Sequence, residues 1–90
     1  MLYIVIERFK NHDAIPVYRR FREKGRMTPN GLNYVESWVE INFDRCFQLM
    51  ECEDPQVLEE WAANWRDLVE FEFVPVRTSK QAAELIAPKV

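Results

Sequence analysis

The chain has 90 residues, of which 48% are hydrophobic and 30% charged, and its formal net charge is −3. These values are typical of one globular domain, near the lower limit of length that can bury a workable core by itself, and we expect residues 1–90 to form it. The small negative charge gives no overall case for a nucleic-acid-binding protein. No apolar run approaches the ~20 residues that span a bilayer.

The first half of the chain predicts a strand followed by a helix. Leu2–Phe9 carries apolar residues at both parities, which is typical of a strand buried on both sides. Asp13 is a candidate N-cap for a helix that tolerates Pro16 in its first turn. The helix has one apolar and one basic side, and Gly25 stands where a helix-ending glycine is expected. A loop with an Asn-Gly turn signal follows at residues 27–31.

The central stretch predicts two long strands, at about residues 32–41 and 45–53, joined by a turn at residues 42–44. Asp54 and Pro55 then have the residue types of an N-cap and a first helical position. This second helix presents an apolar stripe of Leu58, Trp61, Ala62, Trp65 and Leu68, in which the tryptophans are expected to anchor the core.

The last part of the chain predicts a fourth strand and a short third helix. Val69–Val76 alternates phenylalanine with glutamate, and Pro75 indicates an edge or a bulge near the strand end. Thr78 and Gln81 have the spacing of a capping box. The apolar residues of the helix that follows can dock on the domain. The order β-α-β-β-α-β-α predicts an α+β, ferredoxin-like fold with an extra C-terminal helix and a four-stranded antiparallel sheet.

Strand parity divides the sheet residues between two faces. We expect the more apolar set to lie beneath the helices: Leu2, Ile4, Ile6, Val35, Ser37, Val39, Phe47, Leu49, Phe71 and Phe73. The other set is Tyr3, Val5, Glu7, Tyr34, Glu36, Trp38, Cys46, Gln48, Met50, Cys52, Glu70, Glu72 and Val74. No further element remains to cover this second face, whose apolar content exceeds what a monomer usually exposes. The sequence therefore predicts a two-fold homodimer through the open sheet face.

Several segments carry a resemblance to a known family over nearly the whole chain. They are VIERFK (5–10), VYRRFREKGRM (17–27), YVESWVE (34–40), RCFQLME (45–51) and LVEFEFVPV (68–76). The chain resembles a bacterial family of short proteins of unknown function in the dimeric α/β-barrel group of ferredoxin-like folds. The resemblance implies that two sheets close into a barrel with a central cavity. Related barrel families include cofactor-independent monooxygenases, isomerases, haem-dependent enzymes and ligand sensors, and no motif here selects one of them.

Polar residues on the second face form the candidate ligand-binding site. Crowded carboxylates in a partly desolvated cavity have raised pKa values, so that one of them can serve as general acid or base. The alternative is that these carboxylates are hydrated, or pair with Arg8 or Arg45 at the rim. Glu36 is expected to matter most because it lies in mid-strand. The candidate ligand-binding residues are Glu7, Tyr34, Glu36, Trp38, Gln48 and Glu72; no residue is assigned a catalytic role.

Cysteine and histidine usage predicts no metal site and no cofactor. Cys46 and Cys52 lie roughly 20 Å apart on one predicted strand, whereas a disulfide needs Cα atoms within about 7 Å. We expect two buried thiols. His12 is the only histidine, in a polar loop, and it has no second ligand nearby. The opening segment lacks the features of a signal peptide, so the predicted location is cytoplasmic.

Three function hypotheses follow. The first is a protein that binds a small apolar or aromatic molecule in a dimer barrel cavity, without catalysis. The second is a cofactor-independent monooxygenase- or isomerase-like enzyme that uses barrel carboxylates for proton transfer. The third is an interaction module that uses the basic first helix: Arg8 to Arg26 contains seven Lys/Arg against two acids. A solvated helix surface is the simpler explanation of that segment, and we expect neither a nucleic-acid nor a membrane partner.

Overall fold

The computed structural model describes residues 1–90 as an α+β structure built on one four-stranded antiparallel sheet. The strand order is β2-β3-β1-β4, and with the helices it is compatible with a ferredoxin-like fold. Two short 3₁₀ segments, Lys10–His12 and Ala87–Lys89, complete the chain. The elements are β1 (Leu2–Phe9), α1 (Ile15–Lys24), β2 (Asn33–Val39), β3 (Arg45–Glu51), α2 (Gln56–Ala62), β4 (Val69–Val76) and α3 (Ser79–Ile86).

The helix boundaries follow the local signals in the sequence. The predicted N-caps Asp13 and Asp54 lie one residue before the observed N-cap positions, which Ala14 and Pro55 occupy. Each aspartate side chain accepts a hydrogen bond from the backbone N–H two residues on, at 3.1 and 3.0 Å, and so turns the chain into the helix. Gly25 ends α1 with a φ of 70°, a left-handed value that glycine adopts without a Cβ clash. Thr78 and Gln81 form the predicted reciprocal capping box at the start of α3.

The helices cover the sheet face that carries the odd-numbered residues of β1. Tyr3, Val5, Glu7 and Phe9 are buried there, whereas Leu2, Ile4 and Ile6 are only partly covered. On β3 the buried residues are Cys46, Gln48 and Met50. We call the helix-covered side the inner face and the other side the open face. The residues of β1 and β3 that face the helices are therefore the opposite set from the one predicted. Both the odd-numbered and the even-numbered residues of these strands include large apolar side chains, so alternation alone does not indicate which set the helices cover.

A β-bulge in β2 further separates residues that the parity rule groups together. Tyr34 pairs with Met50 and Glu36 pairs with Leu49, so the register shifts between them. The extra residue places Tyr34 with the inner-face residues of β3 and Glu36 with the open-face residues. Ser37, as predicted, lies on the inner face, opposite Gln48.

Helix α1 packs loosely, and none of its residues is buried. Tyr18 and Phe21 are 43% and 41% exposed, although both belong to the predicted apolar stripe. Arg20 holds the helix in place through a two-pronged ion pair with Asp67, at 2.8 and 2.7 Å, and a bond to the carbonyl of Asn64. The gap between this helix and the sheet becomes a cavity.

Helix α3 extends away from the rest of the chain. Every residue from 77 to 90 is exposed, including Leu85 and Ile86. The radius of gyration is 14.9 Å, against about 12 Å for a compact domain of this length. The predicted docking of this helix on the domain is therefore not observed; the inner face of the sheet is covered by α1 and α2. None of the helices has the combined length and apolarity needed to cross a bilayer.

Candidate functional site

A cavity of about 170 Å³ lies between α1 and the inner face of the sheet. Its wall is mostly apolar and aromatic, and its polar groups come from the three strands β1, β2 and β3 and from the loop after α1. Trp61 and Trp65, from α2 and the turn after it, close one side and are also core residues, as predicted. The lining residues are Glu7, Phe9, Val17, Tyr18, Phe21, Arg26, Ser37, Val39, Cys46, Gln48, Trp61 and Trp65.

A chain of three polar side chains runs along the cavity. The Gln48 side-chain amide donates a hydrogen bond to the Glu7 carboxylate, and its carbonyl oxygen accepts one from Nε of Arg26 at 3.0 Å. Glu7 and Gln48 are only 5% and 6% exposed. This arrangement separates the buried carboxyl from the guanidinium by one amide and leaves no buried side-chain polar atom unsatisfied.

Arg26 owes its position to the helix end and to the two tryptophans. Gly25 turns the chain out of α1, and the Arg26 carbonyl then accepts hydrogen bonds from the indole N–H groups of Trp61 and Trp65, at 2.9 and 3.1 Å. The guanidinium lies over the Tyr34 ring, with 3.7 Å from Cζ to the centroid, and 5.1 Å from that of Phe21. Both ends of the residue are thereby fixed.

The electrostatics of the cavity favour neutral forms of its acidic groups. Burial raises the pKa of Glu7, against the opposing effects of the Gln48 hydrogen bond and the Arg26 charge. Burial and the neighbouring charge of Glu7 raise the pKa of Cys46 to about 12. Burial also raises the pKa of Tyr18, with smaller contributions from Cys46 and Glu7. Cys46 is therefore a poor nucleophile, whereas Glu7 is suited to proton transfer.

The structure brings together part of the candidate site that the sequence predicts. Glu7 and Gln48 meet in the cavity wall, and Tyr34 joins them indirectly by stacking on Arg26. The Tyr34 hydroxyl lies 2.7 Å from the Ser37 hydroxyl. Glu7 and Gln48 line a space within one chain, beneath α1, whereas Tyr34 is 39% exposed and does not line it. The sequence predicted that all three would lie between the two sheets of a dimer.

The other three predicted site residues lie apart from the cavity, on the open face. Glu36 and Trp38 project from β2 opposite Leu49 and Phe47, and both are exposed. Glu72 on β4 forms an exposed ion pair with Arg8, at 3.4 Å. The alternative hypothesis, in which a carboxylate of the candidate site pairs with Arg8, therefore holds for Glu72.

Arg26 and the aromatic residues of α1 were not among the predicted site residues. The sequence predicted that Arg26 would belong to a basic helix surface, but this residue follows the helix-ending glycine and lines the cavity. One signal was available: two tryptophans four residues apart, once buried, each need an acceptor for the indole N–H. The carbonyls after a helix end are available acceptors, although the sequence does not say which of them is used.

The cysteines and the histidine lie where the sequence predicts. Cys46 and Cys52 are both buried free thiols. The side chain of His12 is 87% exposed, with Nδ1 3.4 Å from a carboxylate oxygen of Asp44. No three His, Cys, Asp or Glu side chains come together in a way that could hold a metal ion.

Comparison with curated proteins finds no match, and comparison with solved structures finds none. One family model matches the chain, over residues 1–90, and its description is "Domain of unknown function (DUF3303)". This match confirms the resemblance to a family of unknown function, while the bacterial origin and the dimeric barrel group stay predictions. The chain belongs to the DUF3303 family.

Proposed function

We propose that this protein binds a small aromatic or apolar molecule in the cavity beneath α1. The observation that carries the proposal is a space of about 170 Å³ with an aromatic wall and a short row of polar side chains. An apolar cavity of about 150 Å³ is enough to hold benzene. Drug-sized ligands occupy pockets of roughly 300–1,000 Å³. The size therefore favours a molecule with a single ring.

The test is a binding screen with single-ring compounds, among them toluene, phenol and benzoate, followed by the indole N–H signals of Trp61 and Trp65 in NMR. Val39→Phe fills the cavity, and Val35→Phe is the matched control because Val35 lies on the same strand, half exposed and outside the cavity. We expect wild type and V35F to bind, and V39F to lose binding.

Two results would overturn this proposal. One is that no compound of the screen shifts the two indole signals of the wild type, a measurement that does not depend on how any variant folds. The other is that V39F folds and binds the same compound with unchanged affinity.

The second candidate function is proton transfer on such a ligand, and the observation that favours it is Glu7. This carboxyl is buried, lies in the cavity wall and has a raised pKa. A general base of this kind takes a proton from an acidic C–H bond and returns one to the same carbon.

Deuterium exchange tests this function without knowledge of the natural substrate. Small aryl ketones are incubated with the protein in D₂O, and loss of the α-proton signal is followed by NMR. Enzymatic exchange that disappears in Glu7→Gln, and persists in Glu84→Gln on the exposed α3, supports the second function. If exchange is no faster than in buffer, the second function is refuted and ligand binding without proton transfer remains the proposed function.

The proposal includes a homodimer through the open face. The centre of that face is apolar and half-buried, with Ile4 and Ile6 on β1 opposite Leu49 and Phe47 on β3. Charges lie toward its margins, and they include the Arg8–Glu72 and Arg45–Glu40 ion pairs. An apolar centre with a polar rim is the usual composition of an interface.

The size of the open face indicates what a second copy would cover. Four strands about 4.8 Å apart and about 25 Å long give a flat footprint of roughly 480 Å². A standard interface buries about 800 Å² per partner. Side chains that project from the sheet increase the buried area beyond this flat footprint. The exposed residues Leu85 and Ile86 of α3 provide further apolar surface for contact with the second copy.

The native mass of the purified protein tests the dimer. We expect twice the chain mass for wild type and a single chain for Leu49→Lys, which puts a charge in the centre of the face. Glu23→Lys, on the exposed side of α1, is the control and should stay dimeric. A monomeric wild type at micromolar concentration would refute the dimer.

Two buried thiols fit a reducing compartment, and the cytoplasmic location stays a prediction.

A further inference from the structure

Arg26 is a cation at the cavity that has no anionic partner in the chain. None of the six ion pairs in the structure includes it. Nε is its only side-chain nitrogen that donates a hydrogen bond within the chain, to Gln48. The two terminal nitrogens, which form the fork that binds carboxylates side by side, are therefore unused.

The guanidinium is held in one orientation although its terminal nitrogens are free. The rings of Tyr34 and Phe21 lie within 3.7 and 5.1 Å of its Cζ, and the bond to Gln48 fixes its position against the sheet. A cation that is already ordered loses little side-chain freedom when an anion binds. A guanidinium that is attracted to an aromatic face keeps its N–H groups available for hydrogen bonds to an anion.

The rest of the cavity wall indicates which chemical group would carry an anion bound by Arg26. The aromatic and aliphatic wall surrounds a volume suited to one ring. Gln48 stands between Arg26 and Glu7, so the acidic residue does not pair directly with the guanidinium.

We infer that the ligand class is a single-ring aromatic carboxylate, with its ring in the cavity and its carboxylate on the terminal nitrogens of Arg26. This inference rests on the proposed function and adds the charge and chemical class of the ligand. An exposed basic residue would bind many anions weakly, whereas Arg26 adjoins an apolar space that selects for the ring.

The test compares benzoate with benzamide, which has nearly the same size and no charge. We expect wild type to bind benzoate at least tenfold more tightly, a difference of about 1.4 kcal/mol in binding free energy. Arg26→Gln should lose this preference, and Arg26→Lys should keep only part of it because lysine has no fork. Arg22→Gln, an exposed change on α1, is the control and should keep the preference.

The outcomes separate this inference from the proposed function. Equal affinity of wild type for benzoate and benzamide would overturn the carboxylate assignment and leave a cavity that binds small rings. Binding of neither compound, together with no binding of toluene or phenol, would overturn both. The wild-type comparison decides the matter even if R26Q does not fold.

Discussion

The amide nitrogen of Gln48 donates a hydrogen bond to the carboxylate of Glu7 on the neighbouring strand, between α1 and the sheet. Because each residue is about 95% covered, the pair is largely withdrawn from bulk water, and loss of either partner would leave the other without a hydrogen bond. The pair places a titratable group inside a small domain, and the cavity beside it is where a ligand would meet that group.

The pH dependence of stability should report on Glu7. Burial raises its pKa in the folded state above the ordinary value of 4.5, so the folded protein binds the proton more tightly than the unfolded chain. The stability that this proton provides is complete below that ordinary value and is lost as the pH rises through the folded pKa. Cys46, Tyr18 and Arg26 are the other titratable groups of the cavity wall.

The measurement is urea unfolding of wild type and Glu7→Gln between pH 4 and pH 8. The unfolding free energy of wild type relative to E7Q should fall as the pH rises, by about 1.4 kcal/mol for each unit by which the folded pKa is raised. Glu84→Gln, in the exposed α3, controls for the loss of one carboxylate. A difference between wild type and E7Q that does not change with pH would contradict the raised pKa.

The two thiols should be unreactive in the folded protein. Cys46 has a pKa of about 12, and Cys52 is 1% exposed with a pKa that burial raises. Only the thiolate attacks a disulfide reagent. We expect no reaction of native protein with Ellman's reagent at pH 8 within minutes, and two thiols per chain in denaturing urea. Rapid reaction of one thiol in the native protein would show that its site opens readily.

Shortening an apolar side chain to alanine should lower the free energy of unfolding much more in the core than in α3. Leu58 is 2% exposed, so Leu58→Ala should cost about 2–5 kcal/mol of unfolding free energy. Leu85→Ala and Ile86→Ala remove similar side chains that are 60% and 55% exposed, and each should change it by no more than about 0.5 kcal/mol. The variants are compared in the Leu49→Lys background, which is chosen to remove any contact of α3 with the proposed second copy. A large loss from L85A there would mean that α3 packs on its own chain.

The capping box should control the helix content of α3 without affecting global stability. Thr78→Ala removes the side chain that accepts the Gln81 backbone N–H, and such a loss costs about 1 kcal/mol of helix stability. An uncovered helix of eight residues is marginal by itself. In the same Leu49→Lys background we expect smaller helical Cα chemical shifts for residues 79–86 and an unchanged unfolding midpoint. Ser79→Ala, one residue on, should leave the shifts unchanged.

The sequence predicted the elements well wherever the determining interactions are local. Asp13, Gly25, Asp54 and Thr78 act on backbone groups within a few residues of themselves, so their identity and spacing place the helix ends. The hairpin and the order of strands and helices follow from runs of apolar residues between such signals.

The sequence alone determined the order of elements and the apolar character of both sheet faces; only the tertiary structure decided which face the helices cover. Both parities of β1 are apolar, so burial of Val5 rather than Ile4 depends on how the sheet meets α1 and α2. The bulge beside Tyr34 and the contact between Arg26 and Gln48 likewise join parts of the chain that no local pattern relates. Contacts distant in sequence created the cavity, and its chemistry became visible only once the strands were paired.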